Sequence, residues 1–213
     1  MNFESDHYAL VANGEIKDLQ AFERAIYKHS VIIAVDGGMK HLSDINCTPT
    51  VIVGDLDSAP KEALEKFQFV EKFTAACDKD ESDLELAIDF ALKRGAKTIT
   101  VYGALGGRQD HTIANLLLLA KKPGRIFFET ESECWQAISG KATLCFPIGQ
   151  TLSFFALGEN AEGVTTKGLE WDLDNRTIDT TFFSLSNVCI TNDVIIDVSK
   201  GTLFLGIQKG LLS

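Results

Sequence analysis

The strongest constraint on this chain is a change of apolar rhythm near residue 131. Before it, short β-branched runs alternate with stretches of helical spacing; after it, strand-like runs simply follow one another. Val31-Ile32-Ile33-Ala34-Val35 sets the first pattern. Such a continuous, β-branched apolar run suits a buried strand. Tyr8–Ala12, Thr50–Val53, Val70–Phe73, Thr98–Tyr102 and Arg125–Phe128 repeat it. Helical spacing fills the gaps: Leu19, Phe22, Ala25 and Ile26 between Ile16 and His29; Met39 to Ile45; Pro60 to about Phe67; Leu84, Ile88, Ala91 and Leu92 up to Arg94-Gly95; and Thr112 to Lys122. Ser82 and Glu85 have capping-box spacing at the start of the fourth of these. Alternating strands and helices predict a Rossmann-like α/β layer with a mostly parallel sheet.

From Cys134 onward no convincing helix is legible. The runs Ala142–Phe146, Thr151–Phe155, Val164–Thr166, Thr181–Phe183, Val194–Val198 and Gly201–Leu205 are punctuated by glycine, asparagine and aspartate. This pattern predicts a β-sandwich. The expected domains are residues 1–131, α/β, and residues 132–213, all-β. A β domain this short invites a partner surface, so a dimer is expected.

The chain has 213 residues, long enough for a substantial core without staples. Its net charge is −10 and no Lys/Arg cluster appears, so no nucleic-acid partner is expected. No apolar run approaches a membrane span, and Met1 to Asp6 is acidic with no signal-peptide core. The five cysteines form no Cys-x-x-Cys pair, which fits reduced thiols and a cytoplasmic location.

The polar motifs follow the strands: Asp36-Gly37-Gly38, Gly54-Asp55-Leu56-Asp57-Ser58, Asp78-Lys79-Asp80-Glu81-Ser82-Asp83 and Gly103-Ala104-Leu105-Gly106-Gly107-Arg108-Gln109-Asp110-His111. Carboxyl ends of strands are where open α/β sheets bind ligands. Asp55 and Asp57 fall on one side if the backbone stays extended. Two carboxylates at about 4 Å repel by about 4 kcal/mol at an effective dielectric near 20, and a divalent cation relieves this. All-oxygen ligands favour magnesium, manganese or calcium, and magnesium is the usual companion of phosphates. The plainer alternative is that both acids cap a helix near Pro60. Acids at residues 78–83 equally complement a helix dipole. Lys79 is either their counter-charge or a phosphate contact. Gly106-Gly107 would let backbone N–H groups approach a phosphate, and Arg108 offers a planar fork. His111 is either an acid–base group or structural.

Together these motifs resemble thiamine pyrophosphokinase in order and spacing. Gly168-Leu169-Glu170-Trp171-Asp172-Leu173 and Ser184-Leu185-Ser186-Asn187 resemble that family's Gly-Leu-x-Trp and Ser-x-Ser-Asn segments. The resemblance implies an N-terminal catalytic domain and a C-terminal thiamine-binding β-sandwich. It also implies a homodimer with active sites between subunits, and magnesium-dependent transfer of diphosphate from ATP to thiamine. It makes Asp55, Asp57 and Asp83 metal and catalytic residues, and Asp110 a catalytic one. Asp36, Gly37, Gly38, Lys79, Gly107 and Arg108 become ATP-binding, and Trp171, Ser184, Ser186 and Asn187 substrate-binding. Ser82 stands where the family commonly has threonine, and Leu185 is bulky for its segment. Other expectations compete: a phosphohydrolase with Asp55 as nucleophile, a nucleotide sensor without turnover, and diphosphate transfer to a different alcohol such as a hydroxymethyl pterin.

Overall fold

The computed structural model describes residues 6–74 and 81–210. Two compact units emerge: residues up to Asn115 with Phe128–Glu131, and Leu116–Phe127 with Ser132–Ser213.

In the first unit, strands β1 (His7–Val11), β2 (Val31–Val35), β3 (Val51–Val53), β4 (Glu71–Phe73) and β5 (Thr98–Tyr102) form a parallel sheet in the order β5-β1-β2-β3-β4. Leu10 pairs with Ile33 on one side and Val101 on the other, and Ala34 pairs with Ile52. Leu10, Ile33, Ile52 and Ile99 are fully buried, as strands covered on both faces must be. Strand β4 is exposed throughout, which suits the edge of this sheet.

The helices cover the sheet through the predicted stripes. Helix α1 (Leu19–Ile26) buries Phe22 and Ile26, and Asp18 caps it by accepting from the Ala21 N–H at 2.9 Å. A 3₁₀ turn at Asp36–Gly38 runs straight into α2 (Met39–Asp44). Helix α3 (Lys61–Lys66) has Pro60 at its N-cap and no side-chain cap. Helix α4 (Asp83–Lys93) buries Leu84, Ala87, Ile88 and Ala91, and its cap Ser82 accepts from the Glu85 N–H at 3.2 Å. Helix α5 (Gln109–Leu118) begins three residues before Thr112, and Leu119–Lys121 continues it as a 3₁₀ turn. Its polar first turn carries no apolar stripe, so the sequence pattern begins late. Strand β6 spans Ile126–Glu129.

The second unit holds β7 (Glu133–Cys145), β8 (Thr151–Phe155), β9 (Ala161–Lys167), β10 (Arg176–Ile178), β11 (Ser184–Val188) and β12 (Asp193–Gln208). Its pairings are antiparallel: β12 with β7, β8 and β9, β9 with β10, and β8 with β11. The Val194–Val198 and Gly201–Leu205 runs, which read as two strands, are one strand with an irregularity between Val198 and Leu203. Gly201, within this irregularity, has φ +84°, and a Cβ would meet the Asn160 carbonyl at 2.2 Å. Phe182-Phe183 precedes β11 rather than forming a strand. Leu152, Phe154, Val164, Ile178, Ile196, Leu203 and Leu205 fill the core between the layers.

Candidate active site

A cavity of about 1080 Å³ lies in the first unit at the carboxyl ends of its strands. Ala12, Asn13 and Gly14 follow β1; Asp36 follows β2; Asp55, Asp57 and Ser58 follow β3; Gly103, Gly106 and Gly107 follow β5. Two close main-chain approaches shape it. The Gly14 N–H donates to the Gly103 carbonyl at 2.8 Å, and a Cβ on Gly14 would lie 2.3 Å from that oxygen. A Cβ on Gly38 would lie 2.0 Å from the Val11 carbonyl. Glycine is required at both positions for space alone.

The carboxylates of Asp36, Asp55 and Asp57 converge, with one oxygen from each lying within 4.8 Å of the others. The backbone that brings them together is not extended. Asp36 and Leu56 both have left-handed conformations, at φ +44° and +69°. The Asp57 N–H turns back to donate to Asp55 Oδ1 at 3.1 Å. This tight turn, rather than strand alternation, gathers the two acids. They do not cap α3, which has no side-chain cap. Non-glycine residues in left-handed regions carry strain that clusters at functional sites. Ser58 Oγ donates to Asp36 Oδ2, and Asn13 Nδ2 donates to Ser58 Oγ at 3.5 Å. Asp36 Oδ1 is buried and has no hydrogen-bond partner among the described residues. The negative charge of Asp55 pushes the Asp57 carboxyl above its usual range, with desolvation and Asp36 adding to the effect.

This donor set suits a hard divalent cation: all ligands are oxygen, their charges repel, and one buried oxygen lacks a partner. Asp36, which the sequence suggested as a nucleotide contact, thus stands with the acids. Asp83 lines the same cavity from the first residue of α4. Among the described residues, the three carboxylates close enough to share one ion are Asp36, Asp55 and Asp57, without Asp83. Lys79, with Asp78 and Asp80, lies outside the described residues.

Arg108 lines the cavity and forks onto Asp110, with Nη2 to Oδ2 at 2.6 Å and Nε to Oδ1 at 3.1 Å. The hydrogen bonds from Arg108 hold the Asp110 carboxyl down to about 2. Asp110 is therefore a weak proton acceptor, better suited to aiming Arg108. Gly106 and Gly107 have φ +84° and +74°, and Asn115 Nδ2 ties α5 to the turn through the Ala104 carbonyl at 2.7 Å. Gly37 lies so near Asn13 and Ser58 that a Cβ would meet their side chains at 2.6 and 2.7 Å. His111 lines the cavity. His41, which sequence reasoning missed, lines it too and bonds the Gly14 carbonyl through Nε2 at 2.9 Å; burial lowers its pKa. Asn13 was also missed, because Asn-Gly after a strand reads first as a turn. Glu131 Oε1 accepts from the Lys17 and Asp18 N–H groups at 2.8 and 3.1 Å, anchoring the loop that follows Gly14.

The other predicted residues lie in the second unit. Asn187 is fully buried: its Oδ1 accepts from the Trp171 and Val188 N–H groups, and its Nδ2 donates to the Trp171 carbonyl. It holds the Trp171 turn, leaving that indole 58 % exposed. Ser184 opens β11 and is half-buried. Ser186 has φ +54°, its N–H donates to Ser153 Oγ at 3.1 Å, and it lines a second cavity of about 190 Å³ beside Trp135 and Phe155. Trp135, Phe155 and Phe183 form a row of rings with centroids 5.8 and 5.9 Å apart. Trp135 carried no sequence signal, since it lies outside any legible motif.

Two family models match the chain. The catalytic domain of thiamin pyrophosphokinase matches residues 22–128, and its vitamin B1 binding domain matches residues 142–203. Thiamine pyrophosphokinase of Bacillus subtilis is 29% identical over 200 residues, covering 87% of this chain and 86% of its own. A crystal structure of the enzyme from Bacillus subtilis superposes with a TM-score of 0.81 at 26% identity, covering 96% of this chain and all of that one. The yeast enzyme shares the fold, with a TM-score of 0.82 at 16% identity, over 96% of this chain and 86% of its own. By the two matched models, which together span most of its length, this chain belongs to the thiamin pyrophosphokinase family.

Proposed function

We propose that this protein transfers the diphosphate group of ATP to the hydroxyl of thiamine, giving thiamine diphosphate and AMP. The observation that carries the reading is the convergence of three carboxylates with glycine-rich turns at one end of the parallel sheet, in a chain of this family. The hydroxyl oxygen attacks the β-phosphorus of ATP. The bond from that phosphorus to the α–β bridging oxygen breaks, AMP leaves with that oxygen, and the hydroxyl proton passes to a carboxylate. Such transfers depend chiefly on positioning and charge neutralisation.

Asp36, Asp55 and Asp57 would hold magnesium, with Asp83 facing the same cavity. When bound, a divalent cation neutralises phosphate charge and polarises the phosphorus. Asp110, whose carboxyl is held by Arg108, is a poor proton acceptor. Gly37, Gly38 and Gly107 leave room for phosphate or ribose to approach the main chain, and Arg108 offers its guanidinium. Lys79 remains a proposed phosphate contact from its sequence position.

Residues 1–131 would be the nucleotide domain and residues 132–213 the thiamine domain. Thiamine is a cation with aromatic rings, which suits an indole face such as that of Trp171, whose main chain Asn187 holds. We further propose a cytoplasmic homodimer with active sites between subunits. Exposed Ile148, Phe183, Leu185 and Ile190 in the second unit support a partner surface. Among the described residues no helix is long and apolar enough to cross a membrane.

Incubation with ATP and magnesium, with and without thiamine, tests the reaction. Thiamine-dependent AMP is expected. ADP in its place, thiamine-independent AMP, or phosphate trapped on Asp55 would favour a different reaction. Sedimentation of the purified protein tests the dimer, which a monomer at micromolar concentration would rule out.

A further inference from the structure

The large cavity has an unequal charge balance. Glu15, Asp36, Asp55, Asp57, Glu81 and Asp83 line it with carboxylates. Among the described residues, its lysine and arginine side chains are Lys40 and Arg108 alone. Arg108 is already forked onto Asp110 at 2.6 and 3.1 Å. Lys40 lies in the first turn of α2, and no side chain or carbonyl among the described residues pairs with its ammonium group. It follows Asp36 by four residues, across the 3₁₀ turn that runs into α2, and both line the same cavity.

Elsewhere in this chain Lys17, Lys97 and Lys200 each bond a nearby carboxylate. The acids nearest Asp36 are gathered with each other by the Asp55–Asp57 turn and by Ser58, which leaves Lys40 available for an anion entering the cavity. We infer that Lys40 is a phosphate-binding residue of this site, supplying charge to the polyphosphate of the nucleotide. The inference rests on the nucleotide reading of the cavity. An ammonium group is a compact point charge with three donors, and it follows a phosphate oxygen without demanding one planar geometry. Lys40 would thus serve a chain of phosphates whose charge shifts from bound ATP to departing AMP.

Calorimetric titration with a non-hydrolysable ATP analogue, bridged by methylene between the α- and β-phosphates, separates this role from turnover. In the presence of magnesium, Lys40→Met is expected to weaken analogue binding about tenfold, consistent with loss of one charge-assisted contact. Adenosine binding should be unchanged and the melting temperature preserved. Lys40→Arg should restore most of the affinity, and the dependence of analogue affinity on salt should be shallower in the methionine variant. Equal affinity of Lys40→Met and the native protein for the analogue would overturn the inference while leaving the nucleotide site standing. Equal weakening toward adenosine and analogue would also overturn it, since that marks a change of shape rather than lost charge. Failure of the native protein to bind the analogue at all would overturn both the nucleotide reading and the role of Lys40.

Discussion

The side-chain amide of Asn187 grips the main chain of Trp171 at both its N–H, at 3.2 Å, and its carbonyl, at 2.8 Å. This grip sets where an exposed indole stands. Asn187→Ala removes three hydrogen bonds from a fully buried position and strands their main-chain partners. A loss of about 3 kcal/mol in unfolding free energy is expected, read by urea denaturation. Trp171 fluorescence should broaden under conditions where the variant remains folded. A variant as stable as the native protein would show that the grip contributes nothing.

Replacement of Asp57 separates stability from activity. Asp57→Asn removes one of three crowded carboxylates, so without metal its melting temperature should rise. Its AMP formation should fall about 10³-fold, as for loss of a key electrostatic group. Magnesium should raise the melting temperature of the native protein and leave that of the variant nearly unmoved. Full turnover in Asp57→Asn, with no added need for metal, would refute the assignment.

The Arg108–Asp110 fork makes a prediction about pH. Hydrogen bonds from Arg108 lower the Asp110 carboxyl from 3.8 to about 2. A lowered carboxyl contributes stability above its unfolded value and loses it as the pH falls toward the folded one. The window is therefore acidic, from 3.8 down to about 2. Any inflection in the activity profile between about pH 5 and 8 should persist in Asp110→Asn, because Asp110 is ionised throughout that range. The variant should instead show a raised KM for ATP, as Arg108 loses its brace. Disappearance of the inflection would return Asp110 to the role of proton acceptor.

Space at Gly38 is equally testable. A Cβ there would lie 2.0 Å from the Val11 carbonyl, so Gly38→Ala must push strand β1 and α2 apart. A cost of about 3 kcal/mol or more is expected by thermal denaturation. Gly107→Ala meets no atom of the described residues within 4 Å, so its φ of +74° is what opposes it and the cost should be about 1 kcal/mol. Equal effects at the two sites would mean that crowding is not what fixes Gly38.

These contrasts show what the sequence could reveal. Val31–Val35 declared a buried strand by composition, and Leu84, Ile88 and Ala91 declared a helix face, because both depend on neighbours close along the chain. Ser82 was legible as a cap for the same reason. The membership of Asp36 in the acidic cluster was not, since it depends on Ser58 and Asn13 folding against it from distant segments. The left-handed backbones of Asp36, Leu56 and Ser186 had no glycine to announce them. The resemblance implied a substrate contact at Asn187, and nothing in the sequence marked its bonds to Trp171 and Val188. Only the folded chain shows its amide turned inward.

The pairing of β12 also has a consequence for the order of events during synthesis. This strand, Asp193–Gln208, is the antiparallel partner of β7, β8 and β9, all of which emerge from the ribosome before it. The five parallel strands β1 to β5 have all emerged by Tyr102. They can begin to assemble while β7, β8 and β9 still expose unpaired edges. Those edges are the chain's period of greatest risk for association with other chains. Stop codons placed before Asp193 should therefore yield aggregation rather than a smaller folded second unit.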